Sequence, residues 1–273
     1  MTGAVDSARY GPWAVIPGGS EGIGAALAER LAADGINLVL MARKPEALAE
    51  TAAAIQLRHN VEVRTLALDL TAPDMLDQVR AATDDLDVGL LIYNAGASHR
   101  TGPYLGWPLE DVLRVIRLNV EGQAILAHHF GRRMAARGSG GIVLMGSLAG
   151  VAGSPSVAAY SGAKAFSQML SEALWWELKQ DGVDVLHVVV GSTDTPAMAR
   201  LGIVYKEGGS VPSDHVARLT LENLGNGPVL VMPEMQEGFD LFVNPDRRGR
   251  VEMNASFILG NTEGTFAEPE QPA

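Results

Sequence analysis

The chain has 273 residues, of which 47% are hydrophobic and 31 are glycine, enough for one large α/β domain with a sizeable core. Its formal net charge is −11 without any basic block, which argues against nucleic acid and anionic membranes as partners. The absence of cysteine excludes disulfides, thiolate catalysis and Cys-ligated zinc. Because no signal peptide or membrane-spanning apolar run is visible, we expect a cytoplasmic protein.

A glycine-rich turn follows the first predicted strand. The apolar run 13–16 stops at residues 17–24, PGGSEGIG, and residues 25–33 are strongly helix-forming. Glycines let a backbone approach a pyrophosphate closely, and the positive end of the following helix attracts its charge. An ordinary flexible turn is the alternative, but the placement between strand and helix favours nucleotide binding. The spacing GxxxGxG differs from the commoner GxGxxG fingerprint.

Cations follow the second predicted strand, residues 37–41. Folds that prefer NAD usually carry Asp or Glu at this strand end, where this chain has Ala42. Arg43 and Lys44 could instead pair with a 2′-phosphate, although Glu21 places an opposing charge nearby. Solvated charges ahead of the next helix are the plainer alternative. The pattern therefore predicts NADP(H) as the preferred cofactor, with NAD(H) as the second choice.

Strands alternate with helices along the rest of the chain, which predicts a single doubly wound Rossmann-type α/β domain. Its mostly parallel seven-stranded sheet would carry helices on both faces and bind ligands at the carboxyl ends of the strands. We assign residues 1–232 to this domain, with a substrate flap at 198–209. Residues 233–273 form an irregular C-terminal extension whose end is expected to be disordered. The further predicted strands are 61–70, 89–93, 142–145, 184–190 and 229–232, and the further helices are 46–58, 72–83, 109–137, 156–180 and 212–224.

One residue interrupts the long helical pattern of 109–137. Asn119 lies in the run Asn-Val-Glu-Gly, and Asn and Gly weaken a helix interior. Asn119 is either a solvated residue on a helix that tolerates it or a buried amide that holds a local distortion.

Three side chains suggest proton transfer. Tyr160 and Lys164 are four residues apart on a predicted helix and so share one face. A nearby cation favours the phenolate, which predicts a lowered tyrosine pKa and a group that acts as acid or base. Ser147 would place its hydroxyl at the end of the buried strand 142–145. Such a Tyr–Lys spacing alone is a chance event in many proteins, so its context decides its meaning.

In order and spacing, the motifs Gly18-xxx-Gly22-x-Gly24, Asn94-Ala95-Gly96, Asn119, Ser147 and Tyr160-xxx-Lys164 resemble the short-chain dehydrogenase/reductase family over residues 12–232. The resemblance implies hydride transfer between a nicotinamide and a carbinol or carbonyl carbon. It implies that Tyr160 exchanges the substrate proton, Ser147 orients the substrate oxygen, Lys164 lowers the tyrosine pKa and binds the ribose, and Asn119 holds a water. The cofactor-binding residues that it implies are Gly18, Ser20, Gly22, Ile23, Gly24, Arg43, Asp69, Leu70, Asn94, Ala95, Gly96, Tyr160, Lys164, Gly191, Thr193 and Thr195.

By the same likeness, Asp69 would contact the adenine, Asn94 and Gly96 would border the adenosine ribose, and Thr195 would meet the nicotinamide side. Two positions depart from the family pattern. Pro17 replaces a threonine, which puts in doubt a bond that braces the turn to its neighbouring strand, and Val190 replaces a proline. Neither change touches the reacting atoms.

The substrate is expected to be a medium-sized, mainly apolar secondary alcohol or ketone. The alternatives are a ketoacyl-thioester reductase, a catalytically silent nucleotide-sensing protein and a Rossmann-type methyltransferase. The histidines lack metal-ligand spacing, so no metal is expected, and His99 alone lies beside the proposed cleft. Apolar helices, including Trp175 and Trp176, predict a homodimer or homotetramer. The expected pocket walls are Tyr104, Trp107, Leu148, Met198, Leu201, Ile203 and Tyr205.

Overall fold

The computed structural model describes residues 5–200, 205, 209–243, 249 and 256. A seven-stranded sheet with the order β3-β2-β1-β4-β5-β6-β9 forms its centre, and every neighbouring pair of strands is parallel. The remaining strands, β7 and β8, pair separately. The strands are β1 (Trp13–Pro17), β2 (Asn37–Ala42), β3 (Val63–Ala67), β4 (Val88–Tyr93), β5 (Gly140–Met145), β6 (Val183–Val189), β7 (Thr193–Asp194), β8 (Val211–Pro212) and β9 (Val229–Val231).

Helices cover both faces of the sheet, which confirms the predicted doubly wound α/β fold. A π-helical turn at Arg117–Glu121 joins two of them. The helices are α1 (Ser7–Tyr10), α2 (Gly22–Ala33), α3 (Pro45–Arg58), α4 (Met75–Thr83), α5 (Leu109–Ile116), α6 (Gly122–Arg137), α7 (Ala158–Leu178), α8 (Pro196–Arg200), α9 (Ser213–Glu222) and α10 (Gln236–Phe242). None of the described helices is both long and apolar enough to cross a bilayer.

The central strands are buried on both faces, which explains why their sequences are continuous apolar runs. Successive side chains of β1 point to opposite faces, so Ala14 and Ile16 join the core beneath α2 and α9 while Val15 joins the core beneath α6 and α7. The strand order reverses at β1, because β2 and β3 lie on one side of it and β4, β5, β6 and β9 lie on the other. Such a reversal leaves a crevice at the carboxyl ends of the strands.

The C-terminal segment differs from the prediction. The sequence predicts an irregular chain beyond Pro233, but a 3₁₀ turn at Pro233–Met235 leads into α10. Phe239 and Phe242 of α10 pack against the cluster that contains Leu148, because this amphipathic stretch finds an apolar surface that is remote in sequence. Leu241 and Val243, two further apolar side chains of this segment, are exposed.

Two predicted segments lie largely outside the described residues. Within the flap expected at 198–209, the structure describes α8 up to Arg200, Tyr205 and residue 209. The tail expected to be disordered also lies outside them. The third strand is shorter than its pattern 61–70 because the chain leaves the sheet after Ala67, and Leu68 and Leu70 are buried beyond the strand end.

Candidate active site

A cleft of about 490 Å³ opens at the carboxyl ends of β1, β4, β5 and β6, beside the reversal in strand order. It brings together residues that are far apart in sequence. The predicted site residues that line it are Gly18, Ser20, Gly22, Ile23, Arg43, Asp69, Leu70, Asn94, Ala95, Gly96, Ser147, Tyr160, Lys164, Gly191, Thr193 and Thr195. Gly24 and Asn119 do not line it but support residues that do.

The glycine turn is packed against the end of β4 with no space for side chains. A Cβ on Gly24 would lie 1.9 Å from the carbonyl oxygen of Gly18, and one on Gly18, whose φ is +82°, would lie 2.8 Å from the nitrogen of Ala95. The Asn94 side chain donates a 2.9 Å hydrogen bond to the Gly18 carbonyl. Glycine is therefore required here both for close approach and for left-handed backbone.

Pro17 does not loosen this turn. Its carbonyl oxygen accepts hydrogen bonds from the backbone nitrogens of Asn94 at 3.1 Å and Ala95 at 2.7 Å. The nitrogen of Gly18 donates to the Met41 carbonyl on β2 at 2.7 Å. The turn is thus tied to both neighbouring strands through the backbone, which removes the doubt raised by the missing threonine hydroxyl.

Ser147 and Tyr160 meet on the floor of the cleft. Ser147 follows β5 and begins a short 3₁₀ turn, where its hydroxyl accepts from the Ala149 nitrogen at 3.2 Å. Tyr160 lies in the first turn of α7. Burial raises the pKa of Tyr160 to about 12, and the nearby Ser147 hydroxyl lowers it in part.

Lys164 lies one helical turn beyond Tyr160 and is 4% exposed. Its Nζ lies 5.4 Å from the centre of the Tyr160 ring and donates a 2.6 Å hydrogen bond to the Met145 carbonyl. Burial lowers the pKa of Lys164 to about 8. The Tyr160 pKa is therefore raised and not lowered as expected, because burial of the phenol is the largest effect and Lys164 is not among the groups that lower it.

Asn119 is a buried amide within the π-helical turn. This confirms the interpretation of Asn119 as a buried residue that holds a local distortion of the helix. Its Nδ2 donates to the Val115 carbonyl at 2.9 Å, whereas its buried Oδ1 has no partner. A Cβ on Gly96 would lie 2.5 Å from this Oδ1 and 3.1 Å from Lys164 Nζ. The amide oxygen and the ammonium therefore border the same small space beneath Gly96, and the oxygen still needs a donor.

Charged side chains border the end of the cleft near β2 and β3. Arg43 and Lys44 follow β2 and line the cleft. Asp69 accepts from Thr71 through Oδ1, at 2.9 Å from its nitrogen and 2.8 Å from its hydroxyl, and pairs through Oδ2 with Arg114 at 2.9 Å. Partial burial alone would raise the pKa of Asp69, but the two bonds from Thr71 and the nearby arginine charges outweigh it and lower that pKa.

The opposite end of the cleft is mainly apolar. Leu148, Met198 and Tyr205 line it as expected, whereas Tyr104, which is exposed, and Trp107 do not. Leu201 and Ile203 lie outside the described residues. Sequence reasoning missed Met235, Val157, Ser154 and Thr101. Met235 comes from the C-terminal segment, and its Sδ would be 1.9 Å from a Cβ on Gly191.

No histidine is among the described residues that line the cleft. His99, in the loop beside the cleft, does not line it and pairs with Asp111 on α5 at 3.2 Å. His187, on β6, is buried, and its ring fills the space that a Cβ on Gly146 would need. The described residues include no group of three or more acidic or histidine side chains placed to hold a metal ion.

The turn and its surroundings fit a dinucleotide. Gly18, Gly22 and Gly96 supply a side-chain-free cradle, and α2 begins at its edge with free backbone N–H groups. The unpartnered Asn119 oxygen beside Lys164 marks a second polar position deeper in the cleft. Together the fold and the cleft are those of a Rossmann-type protein with a dinucleotide-sized cradle.

Comparison with known proteins gives the family. The family described as short chain dehydrogenase matches residues 12–203. A 7beta-hydroxysteroid dehydrogenase of Mediterraneibacter gnavus is 32% identical over 190 residues, 70% of this chain and 72% of the relative. A very-long-chain 3-oxoacyl-CoA reductase of Neurospora crassa is 40% identical over 197 residues, 71% of this chain and 59% of the relative. The chain belongs to the short-chain dehydrogenase/reductase family of oxidoreductases.

Solved structures agree with this assignment. A structure from a study of 7beta-hydroxysteroid dehydrogenase stereoselectivity superposes with a TM-score of 0.84 at 27% identity and covers 92% of this chain and 99% of its own. A short-chain dehydrogenase from Sphingobium yanoikuyae in complex with NADPH gives 0.78 at 30% identity, with 96% and 98% covered. The family binds a nicotinamide cofactor, and the relative from Sphingobium yanoikuyae was solved with NADPH.

Proposed function

We propose that this chain is an NADP(H)-dependent oxidoreductase that interconverts a secondary alcohol and a ketone on a medium-sized, mainly apolar substrate. The observation that carries the proposal is the convergence of Ser147, Tyr160 and Lys164 in a cleft whose outer end is lined by Leu148 and Met235. The glycine cradle and the reacting side chains occupy one continuous space. A nucleotide sensor without catalysis has no need of the three side chains together.

Tyr160 is the proton donor in this proposal. Its pKa of about 12 keeps the phenol protonated at neutral pH, which suits donation to a carbonyl oxygen. The Ser147 hydroxyl, which lines the same cleft as the phenol, would hold the same substrate oxygen and fix its position. Alcohol oxidation requires the phenolate, so it would speed up as pH rises.

Lys164 and Asn119 would serve the cofactor side. The Lys164 ammonium borders both the phenol ring and the space beneath Gly96, so it can hold a ribose hydroxyl and stabilise a developing phenolate. Asn119 Oδ1 can accept from a water next to that ammonium and so continue a path for the proton. A bound nicotinamide supplies the hydride, and this chain supplies position and proton.

NADP(H) is the proposed cofactor because Arg43 and Lys44 border the cleft where β2 ends and Ala42 offers no carboxylate to a 2′-hydroxyl. The relative from Sphingobium yanoikuyae, solved in complex with NADPH, supports the choice. Dissociation constants of the purified protein for NADPH and NADH test it directly. Tighter binding of NADH would contradict the proposal.

A bulky ring ketone, such as a steroid-like or aromatic compound, is the proposed substrate. The apolar outer wall supports it, and so do the relatives named as 7beta-hydroxysteroid dehydrogenases. The experiment is a panel of ring ketones, short sugars and linear ketones, followed by NADPH oxidation at 340 nm. We expect the highest kcat/KM for bulky apolar ketones, and faster reduction of short polar sugars would contradict the proposal.

A ketoacyl-thioester reductase is the second candidate, because the relative named as a very-long-chain 3-oxoacyl-CoA reductase is 40% identical over 197 residues. A thioester on a phosphorylated carrier would favour cations at the substrate mouth. Leu148, Met198 and Met235 offer none at the apolar end described here. Adding a 3-oxoacyl thioester and its free ketone analogue to the panel separates the two candidates.

Self-association belongs to the same proposal. Large apolar side chains are exposed on α5, α6 and α7, as expected for helices that pair with a second copy. Trp176 is 72% exposed, whereas Trp175 packs partly against the core and is not available. The exposed set is Leu109, Leu113, Ile125, Phe166, Met169 and Trp176. Sedimentation at micromolar concentration should show a dimer or tetramer and not a 28.8 kDa species.

A further inference from the structure

An ion pair closes one side of the cofactor cleft. Glu21, in the glycine turn, and Arg200, at the end of α8, are 179 residues apart in sequence but meet through both carboxylate oxygens. Arg200 Nη1 lies 2.8 Å from Glu21 Oε2, and Nη2 contacts Oε1. Both side chains line the cleft. The bidentate geometry fixes the orientation of the carboxylate.

Glu21 binds Arg200 although the N–H groups of its own helix are closer in sequence. It occupies the N-cap position of α2, where an acidic side chain can accept from the N–H groups of its own helix. Glu21 makes no such bond. The bond to Arg200 is the largest of the effects that lower the pKa of Glu21, followed by the charges of Arg200, Lys44 and Arg43, so the carboxylate is charged.

Arg43 faces two carboxylates, and each is held by another arginine. Arg43, Glu21 and Asp69 line the same cleft, and the Arg43 charge lowers the pKa of both carboxylates. Glu21 is paired with Arg200 and Asp69 with Arg114. Neither Arg43 nor Lys44 forms an ion pair with any residue in the part of the chain that the structure describes.

We propose that Arg200 is a positioning residue that determines cofactor specificity by holding Glu21 away from Arg43 and Lys44. This inference rests on the proposed NADP(H) dependence. With Glu21 held, both cations stay available for the 2′-phosphate of the cofactor. Without Arg200, the released carboxylate pairs with them and repels that phosphate, while a cofactor with a 2′-hydroxyl loses little.

The test measures dissociation constants for NADPH and NADH at low salt, by cofactor fluorescence, on the full chain. Because the pair is partly exposed, we expect Arg200→Gln to weaken NADPH binding about fivefold and NADH binding less than about twofold. The double variant Glu21→Gln/Arg200→Gln should regain most of the lost NADPH affinity, since no carboxylate is left to release. Arg200→Lys should keep the preference, because its ammonium still pairs with Glu21.

Arg218→Gln is the matched control. Arg218 forms an equally exposed pair with Glu222 on α9, outside the cleft lining, so its loss should change neither constant. An equal loss of NADPH and NADH affinity in Arg200→Gln would overturn the inference. Arg200 would then act on a part of the cofactor that NADPH and NADH share. A double variant as weak as Arg200→Gln would also overturn it, since Arg200 itself would bind the phosphate. Wild-type preference for NADH would refute the cofactor proposal separately, and the ratio between variants would still test Arg200.

Discussion

The two ends of the cleft are built by different means. The cofactor end uses a short local turn whose glycines and Asn94 lock it onto two adjacent strands. The substrate end joins segments that are remote in sequence, from Leu148 to Tyr205 and Met235. The first kind of site is specified by spacing and backbone geometry, and the second by which apolar surfaces meet in the folded chain. Substitutions should therefore affect the two ends separately.

Removing the proposed proton donor at the junction of the two ends should have the largest effect. Tyr160→Phe deletes the phenol hydroxyl with little change in packing, so we expect kcat to fall about 1,000-fold or more. Cofactor affinity and melting temperature should stay near the wild-type values. Stopped-flow and steady-state rates with NADPH measure this, with Tyr104→Phe, outside the cleft lining, as the control. A variant that keeps a tenth of the wild-type rate would contradict the assigned role.

A methyl group placed behind Gly18 of the glycine cradle should impair the cofactor end alone. In Gly24→Ala, the new methyl group would meet the Gly18 carbonyl and push the turn away from β4. We expect cofactor affinity to fall about 100-fold, with a loss of stability of about 1–3 kcal/mol from overpacking. Gly162→Ala on α7 is the control, because no atom lies within 4 Å of its Cβ position. Calorimetric titration that gives equal affinities for both variants would rule out the cradle.

Reversing a charge at the other border of the cofactor end should change its preference. Arg43→Asp replaces a phosphate-pairing cation by a group that repels phosphate and can accept from a ribose hydroxyl. We expect the ratio of NADPH to NADH affinity to fall about 30-fold, because NADPH binding weakens while NADH binding strengthens. Titration of both cofactors measures the ratio, with Arg58→Gln, paired with Glu29 on the surface, as the control. An unchanged ratio would show that Arg43 does not contact the cofactor.

Shortening a side chain at the substrate end should leave the cofactor end intact. Met235→Ala removes apolar wall near Gly191 and enlarges the space beside Tyr160. We expect kcat/KM to fall about tenfold for a substrate that fills the original pocket and to fall less for a bulkier one. NADPH affinity should be unchanged. Leu57→Ala, on exposed surface, is the control, and an equal loss for all substrates would indicate a structural role instead.

The smallest expected effect concerns stability and pH. Burial lowers the Lys164 pKa from 10.5 to about 8, so the folded protein binds this proton less tightly than the unfolded chain. The resulting cost is full below pH 8 and disappears as pH rises to about 10.5. Lys164→Met removes this cost but also loses the bond to the Met145 carbonyl. The expected net gain in unfolding free energy is about 1 kcal/mol at pH 7.

Denaturant unfolding at pH 7 and pH 10 measures this difference. Wild type should gain stability relative to Lys164→Met between the two pH values, while Lys179→Met, on the surface beside Trp175, should follow wild type. A constant difference would mean that Lys164 keeps its ordinary pKa in the folded protein. Activity should be lost in Lys164→Met, as a group with two catalytic tasks is removed.

The fold can be predicted from the sequence because strand and helix periodicity, glycine spacing and the Tyr–Lys spacing are local properties of the chain. These local properties suffice to assign Gly18, Asn94, Ser147 and Lys164 to one cleft, and all four line it. Local patterns cannot give the Tyr160 pKa, which depends on burial by the whole fold. Nor can they separate the two readings of Asn119, since only packing decides whether an amide is solvated or buried.

The sequence by itself thus determined the sheet, the glycine turn and the side chains that meet in the cleft. Tertiary structure alone decided that Met235 forms a wall, that Tyr104 and Trp107 do not, and that Arg200 reaches Glu21. The physical reason is the distance along the chain over which each kind of interaction acts. Backbone geometry and periodicity act over a few residues, whereas an apolar wall or an ion pair depends on surfaces that meet after the chain has folded.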